Sequence, residues 1–169
     1  MRFMVRFLAV GFLAAVLSAG NVWAQRNSIE IRGDVHNLIT WSVDDVKKEL
    51  SEEIQTVKHW YEREALTGIP LVSLLKVAEL KTEEAFKHHD FSFIVILEAY
   101  DGYRAYFTYA ELALSAKENP AMLVWAEDGK PLPDRELPFR LLSKDGDRSI
   151  FGITRITLVD GNKLINNQK

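Results

Sequence analysis

The alternation of hydrophobic and polar positions is clearest over residues 91–112, which contain an apolar run, a turn and a run of alternating character. Residues 93–97 are apolar throughout and predict a buried strand. Asp101 and Gly102 follow, a pair that supplies the two positive-φ positions of a tight hairpin turn. Residues 103–108 then alternate with period two, so one face of the returning strand is apolar. The pattern predicts a central β-hairpin.

Capping residues indicate where two helices begin. Thr108 and Glu111 have the spacing of a capping box, which predicts a helix directly after the hairpin and up to about residue 117. Ser42 and Asp45 predict a second, short helix because they combine a capping residue with an acidic first turn. Both helices are therefore fixed by local chemistry.

Other elements follow from periodicity and turn residues. Pro70 suits the first position of a helix, because the apolar residues after it recur at helical spacing, and Thr82 indicates another short helix. Residues 54–64 are expected to be extended but irregular. Further strands are predicted at 29–33, 38–41, 122–127, 139–142 and 150–159, with tight turns at Asp128-Gly129 and Asp145-Gly146. Strands joined by Asp-Gly turns, with helices between them, predict an α+β domain rich in antiparallel sheet.

The first 24 residues have a different character from the rest. Arg2 and Arg6 give a basic start, residues 7–17 are mostly apolar, and Ala24 ends a small-x-small pattern. We therefore expect a secretory signal peptide over residues 1–24, cleaved near Ala24. The alternative is an uncleaved amphipathic anchor, since Trp23 could hold such a helix at a membrane interface.

The remaining length is that of one domain, which we expect over residues 25–160, followed by a flexible tail at 161–169. The formal net charge is −3, and removing Arg2 and Arg6 makes it −5. This acidic balance argues against nucleic acid or an anionic membrane as partner. The chain has no cysteine, which excludes disulfides, thiolate metal sites and a thiol nucleophile.

Catalytic and metal-binding motifs are weak in this sequence. None of the four histidines has the i, i+4 spacing with a nearby carboxylate that a zinc or iron site favours. Ser42, Ser73 and Ser92 lack a nucleophile elbow, and no glycine-rich phosphate loop occurs. We therefore assign no catalytic residue and no metal ligand.

Aromatic residues stand beside charged ones at several places in the sequence. The candidate ligand-binding residues are Trp60 and Arg63, Asp101 and Tyr103, Trp125 and Glu127, with Arg140 and Arg148 further along the chain. A flat, polar heteroaromatic ligand fits such sets, because its ring can stack on an aromatic side chain while a carboxylate and an arginine satisfy its edges. The alternative is that the tryptophans pack in the core or at its rim and the charges are solvated turn residues.

Five segments carry a family resemblance. They are Gly68-Ile69-Pro70-Leu71 with Leu74-Leu75, Asp101-Gly102-Tyr103, Trp125 with Asp128-Gly129-Lys130-Pro131-Leu132-Pro133, Leu137-Pro138-Phe139-Arg140-Leu141, and Ile153 with Ile156. In this order they resemble the molybdopterin-binding domain of sulfite-oxidase-type oxidoreductases, over nearly the whole of the expected domain. The resemblance implies the mixed, sheet-rich sulfite-oxidase fold and a cleft made for a pterin.

One feature of that family is missing. Its members hold molybdenum through a cysteine that precedes the segment resembling residues 68–71, whereas residues 56–66 here contain none. Small, exported, cysteine-free members resemble periplasmic pterin-binding regulators. Those regulators sense a reduced, molybdenum-free pterin and act on the periplasmic region of an inner-membrane enzyme that makes or degrades cyclic di-GMP. The resemblance thus implies a non-catalytic, periplasmic signalling protein without a covalently bound cofactor.

The implied ligand contacts can be stated by residue. They are stacking on Trp125 or Tyr103, pairing of the guanine-like edge with Asp101 or Glu127, and an acceptor contact to Arg140 or Arg148. Two other functions stay open: a molybdopterin-dependent oxidoreductase subunit without the thiolate ligand, and an adaptor that binds protein without any ligand. Stoichiometric molybdenum would favour the first, and partner binding unaffected by pterin would favour the second.

Overall fold

Five strands form the first sheet of the computed structural model, which describes residues 27–58, 64–83, 87–143 and 148–166. These strands are β1 (Ser28–Gly33), β2 (Ile39–Ser42), β5 (Phe93–Ala99), β6 (Arg104–Thr108) and β10 (Ile153–Asp160). Their order across the sheet is β2-β1-β10-β5-β6. β1 and β10 pair in parallel, and the other neighbours pair antiparallel.

One face of this first sheet is buried and the other is open. The buried side chains contribute to the main core, and they are Ile29, Ile31, Phe93, Val95, Leu97, Ala105, Phe107, Ile156 and Leu158. On the opposite face the side chains are half-buried or exposed. The strands accordingly show the alternation of a sheet with one solvent-facing side.

The central hairpin is confirmed, but its turn is longer than predicted. The N–H of Ala99 donates to the carbonyl of Tyr103 at 2.9 Å, and the N–H of Gly102 donates to the carbonyl of Ala99 at 3.0 Å. Gly102 has a φ of 87°, whereas Asp101 has no positive φ. The expectation of two positive-φ positions is therefore wrong, because a three-residue loop needs only one left-handed residue.

The second sheet lies beside the first. It contains β3 (Gln55–Lys58), β4 (Ala65–Pro70), β7 (Met122–Glu127) and β8 (Lys130–Pro131) in that order, and β9 (Arg140–Leu142) also pairs with β7. The sequence pattern misses β4, because Gly68 and Pro70 weaken the strand signal. Gly68 is required there, since a Cβ at that position would lie 2.3 Å from the carbonyl oxygen of Leu123 on β7.

Both faces of β7 are buried. Leu123 and Trp125 contribute to the main core, while Met122 and Val124 belong to a smaller cluster on the other face of the second sheet. That alternation explains why β7 has the continuous apolar run from which it was predicted. The second face also forms the floor of a groove.

The helices are α1 (Val43–Glu49), α2 (Leu71–Ala78), α3 (Tyr109–Ser115) and α4 (Gly161–Asn166). The capping box before α1 is confirmed: the Ser42 Oγ accepts from the Asp45 N–H at 3.2 Å, and Asp45 Oδ2 accepts from the Ser42 N–H at 2.8 Å. Thr108 caps α3 by accepting from the Glu111 N–H at 3.1 Å. Pro70 is the N-cap of α2, one position before the place predicted for it.

The short helix expected from Thr82 includes residues 84–86, which lie outside the described residues, and a 3₁₀ helix follows at His89–Ser92. Residues 161–166, expected to be part of a flexible tail, form α4, which Lys163 ties to Asp34 through a 2.5 Å contact of its Nζ with Oδ1.

Several sequence-based predictions lie outside the described residues. These are the signal peptide at 1–24, the site residues Trp60 and Arg63, the turn at Asp145-Gly146, and the tail beyond residue 166. The mixed α+β class and the predominance of antiparallel pairing are confirmed. Among the described residues, no helix has the length and apolar character needed to cross a membrane.

Candidate ligand-binding groove

Two adjoining cavities lie where α3 and the second sheet meet. The larger, of about 440 Å³, is lined from β3, the loop after α3, and the ends of β7 and β9. The smaller, of about 150 Å³, is lined from β6, α3 and Arg148. Asn119 and Ser143 contribute to the walls of both cavities. We refer to the two cavities together as the groove.

The floor of the larger cavity is apolar because of strand alternation. Met122 and Leu142 are paired across β7 and β9 and point to the same face of the second sheet. Val57 on β3 packs against the same cluster. These three side chains line the larger cavity, so a flat, apolar surface lies under whatever occupies it.

The wall of the larger cavity carries polar side chains that are not engaged elsewhere. Gln55, Lys58, Lys117, Asn119 and Ser143 line it, and their side chains make no hydrogen bond or ion pair with the described part of the chain. The Ser143 Oγ is fully buried. Because a buried hydroxyl without a partner costs about 1 to 3 kcal/mol, this group favours a bound molecule that completes it.

The smaller cavity contains a stack of a cation on an aromatic ring. The Arg148 guanidinium carbon lies 4.8 Å from the centroid of the Phe107 ring. Its Nη2 donates to the Glu111 Oε1 at 2.6 Å. Phe107 is held by β6 and Glu111 by the first turn of α3, so two adjacent elements position the planar guanidinium group.

Trp125 lines neither cavity of the groove. It is 5% exposed and packs edge-on against Phe139, with ring centroids 6.5 Å apart. It borders a third cavity, of about 470 Å³, that α1 and β8 also line and that includes Lys47. Trp125 and Arg148 thus border different cavities. The packing of Trp125 agrees with the alternative, stated from sequence, that this tryptophan is a core residue.

Asp101 and Tyr103 lie at the tip of the central hairpin. The Asp101 Oδ1 accepts from the Tyr103 N–H at 2.9 Å, so the carboxylate stabilises the turn itself. Tyr103 is 58% exposed. Neither residue contributes to the walls of the groove.

Glu127 and Arg140 are placed away from the groove. Glu127 is half-buried at the end of β7, opposite Lys130 of β8. Arg140 is 8% exposed; its Nη1 lies 3.7 Å from the buried Glu136 Oε2, and its guanidinium carbon lies 5.1 Å from the centroid of the Phe151 ring. Arg140 is therefore part of a buried ion pair.

Of the residues predicted from sequence, only Arg148 lines the groove among those that the structure describes. The sequence did not indicate Phe107, Asn119 or Ser143 as site residues, and it indicated Glu111 only as a capping residue. Glu111 and Arg148 are 37 positions apart, and no local pattern links residues at such a separation. The available signal was weaker: an aromatic strand residue and an acidic helix residue close together in sequence.

A buried histidine, His89, forms a hydrogen-bonded cluster with Ser92 and Asp160 outside the groove. The Nδ1 of His89 accepts from the Glu83 N–H at 2.7 Å, and its Nε2 lies 3.1 Å from the Asp160 Oδ2. Ser92 donates to the carbonyl of His89 and to Asp160, at 2.7 and 3.2 Å. The Ser92 hydroxyl is directed to a carbonyl and a carboxylate, so the geometry differs from that of a serine–histidine–aspartate triad.

The part of the chain that the structure describes contains no group of three histidine, aspartate or glutamate side chains placed to hold a metal ion. The groove is instead suited to a planar organic molecule with several hydrogen-bonding groups. Comparison with protein-family models and with curated proteins found no match to this chain.

Proposed function

We propose that this protein binds a reduced, molybdenum-free pterin in the groove and acts as a non-catalytic, periplasmic signalling protein. One observation carries the proposal: a guanidinium stack in the smaller cavity adjoins a larger cavity that combines unengaged polar side chains with an apolar floor. A pterin is flat, has a guanine-like edge of donors and acceptors, and carries a substituent at one end. Each of these three parts has a counterpart in the groove.

The ring lies over Arg148 and extends the stack of that side chain on Phe107. Glu111, which already accepts from Arg148, accepts from the N–H groups of the guanine-like edge. The hydroxyl of Ser143 and the amide of Asn119 stand in the wall shared by the two cavities and bond the remaining edge. The stacking partner in this proposal is thus Arg148, in place of Trp125 or Tyr103.

The larger cavity receives the substituent of the pterin. Its volume of about 440 Å³ is within the range of small-molecule sites, roughly 300 to 1,000 Å³. Lys58 in its wall belongs to residues 56–66, the region in which sulfite-oxidase-type domains carry their cysteine. By the resemblance, the groove borders the segment that corresponds to the family's cysteine-bearing region, which supports a pterin site there.

Signalling requires that a partner distinguish the empty protein from the occupied one. α3 contributes Glu111 and Ser115 to the smaller cavity and carries the exposed Leu114 on its surface. A pterin that engages Glu111 changes the ion pair that links α3 to Arg148, and the surface of α3 changes with it. The partner in this proposal is the periplasmic region of an inner-membrane enzyme that makes or degrades cyclic di-GMP.

Calorimetry with a tetrahydropterin under anaerobic conditions tests the binding step. The wild-type protein should release heat and gain thermal stability. Arg148→Gln should weaken binding by about tenfold or more, because it removes a cation–π and a charge-assisted contact. Arg135→Gln is the matched control, since Arg135 is exposed and lines neither cavity. Absence of heat and of any thermal shift near about 1 mM pterin would exclude the proposal.

The signalling step has a separate readout. Purified protein with and without tetrahydropterin is added to the membrane-bound cyclic di-GMP enzyme, and the rate of cyclic di-GMP synthesis or hydrolysis is measured. A change that needs both the protein and the pterin, and that Arg148→Gln reduces, supports the regulatory role. A partner bound equally with and without pterin supports the adaptor instead.

A further inference from the structure

We propose that the open face of the first sheet is a self-complementary surface that pairs two copies of this chain about a two-fold axis. The inference is independent of the pterin proposal, since it rests on a face that borders neither cavity of the groove. It follows from the order of side chains across four neighbouring strands, β6, β5, β10 and β1.

A row of alternating charges crosses these four strands. The strand registers place Arg104 beside Glu98, Glu98 beside Arg155, and Arg155 beside Glu30. The Nε of Arg104 contacts the Oε2 of Glu98 at 2.6 Å, and Arg155 contacts Glu98 and Glu30 at 2.8 and 2.7 Å. We refer to these four residues as the charge ladder. From one side of the sheet to the other, its signs are plus, minus, plus, minus.

Two further rows lie on the same face. The first contains Tyr106, Ile96, Thr157 and Arg32, which occupy consecutive strands in the same register. The second contains Thr108, Ile94 and Val159. Tyr106 is 58% exposed, and Ile94, Ile96 and Val159 are half-buried without belonging to the main core. The face therefore has an apolar centre beside the charge ladder.

A two-fold axis parallel to the strands reverses their order in the facing copy. Arg104 then lies opposite Glu30 of the second copy, and Glu98 lies opposite Arg155, so every charge of the ladder meets its opposite. In the next row the exposed Tyr106 ring meets Arg32, an arrangement that favours a cation–π contact. Ile96 meets Thr157, and Ile94 meets Val159 in the last row, so apolar side chains lie near the axis.

The sign order selects a second copy over other occupants. A partner surface of uniform charge would place like charges opposite two of the four ladder residues, which is unfavourable. A four-member ladder of alternating sign is its own complement after a two-fold rotation. Four strands about 4.8 Å apart and three rows about 7 Å apart cover only about 400 Å² per copy, which indicates a weak, concentration-dependent dimer.

Analytical ultracentrifugation of the protein expressed from its full coding sequence, from about 10 µM to about 1 mM, tests the dimer. The wild type should associate across this range. In a dimer of the Arg104→Glu protein, the new carboxylate of each copy faces Glu30 of the other copy. In a dimer of the Glu30→Arg protein, the new guanidinium group of each copy faces Arg104 of the other copy. Each should weaken association about tenfold or more. Lys47→Glu, a reversal on α1 away from this face, should associate like the wild type.

The decisive sample is an equimolar mixture of the Arg104→Glu and Glu30→Arg proteins. In the mixed dimer each new charge meets its opposite, so association should return to the wild-type level although each protein alone associates more weakly. Circular dichroism shows whether each variant is folded. Tyr106→Ala leaves the charge ladder intact and should also weaken association, because it removes the contact of Tyr106 with Arg32 of the second copy. Any one of three results overturns the inference. The wild type is monomeric up to about 1 mM, or association survives both single reversals, or the equimolar mixture stays monomeric.

Discussion

The open face of the first sheet and the groove beside the second sheet are both polar surfaces, but they differ in how their groups are satisfied. In the charge ladder every charge has a partner within 2.8 Å. In the larger cavity of the groove, several polar side chains have no side-chain partner in the described part of the chain. The charges of the first surface are already paired within one chain, so a second copy adds only weakly to them, whereas the polar groups of the groove are completed only by a molecule from outside.

The two regions also differ in what lies beneath them. The first sheet is buried on one face only, and the charge ladder lies on the opposite, solvent-facing side. In the second sheet β7 is buried on both faces, and the apolar side chains of one face continue into the floor of the groove. Binding residues in the groove therefore stand on a rigid base, which reduces the entropy that a ligand must overcome.

The largest effect on stability is expected at Trp125, which packs in the core and does not line the groove. Trp125→Ala should lower the free energy of unfolding by about 3 to 5 kcal/mol, because it leaves a cavity against Phe139. Pterin affinity of the protein that remains folded should not change. Urea unfolding and calorimetry measure the two quantities, and Tyr103→Ala, at an exposed position, should affect neither. A stable Trp125→Ala protein that no longer binds pterin would restore Trp125 as the stacking residue.

A smaller effect is expected in the charge ladder. Hydrogen bonding from Arg104 lowers the pKa of Glu98, against the desolvation that raises it, and the charges of Arg104 and Arg155 add to the lowering. A lowered pKa means that the ionised group stabilises the fold above its ordinary value of 4.5 and that this stabilisation is lost as the pH falls through the folded-state pKa. Glu98→Gln should therefore cost about 1 to 2 kcal/mol at neutral pH.

That cost should shrink on acidification. At about pH 3.5 the difference in unfolding free energy between wild type and Glu98→Gln should be smaller than at pH 7, because this pH lies below the ordinary pKa of 4.5 and the unfolded wild-type chain then binds the proton. Urea unfolding at both pH values gives the comparison. An equal difference at both values would mean that the ladder stabilises by packing and not by charge.

The smallest effect on stability is expected in the groove. Ser143→Ala removes a buried hydroxyl that has no partner, so the free energy of unfolding should stay within about 0.5 kcal/mol of wild type or rise slightly. Pterin affinity should fall several-fold at the same time. Thermal unfolding and calorimetry of one preparation test both statements, and a clear loss of stability would show that the hydroxyl is already satisfied without a ligand.

The elements with a local cause could be predicted from sequence. Ser42 and Asp45 cap α1, Thr108 caps α3, and both Asp128 and Gly129 have the positive φ of the turn that was predicted there. β4 could not, because Gly68 is present for the close approach of β7, a contact between segments distant in sequence. Local propensity contains no information about such a contact.

The groove was harder to predict than the fold for the same reason. Arg148 was identified by its charge, but its partners Phe107 and Glu111 come from β6 and α3. Trp125 has the residue type of a stacking platform, and strand alternation directs it into the core instead. Residue type alone therefore does not indicate which side chains meet.

The parallel pairing of β1 with β10 has a consequence for how the chain reaches its final structure. β10 occupies the middle of the five-stranded sheet, between β1 and β5, so the β1–β2 and β5–β6 hairpins have no common neighbour until residues 153–160 have left the ribosome. Completion of this sheet therefore waits for β10, with slow, long-range strand pairing as its final step.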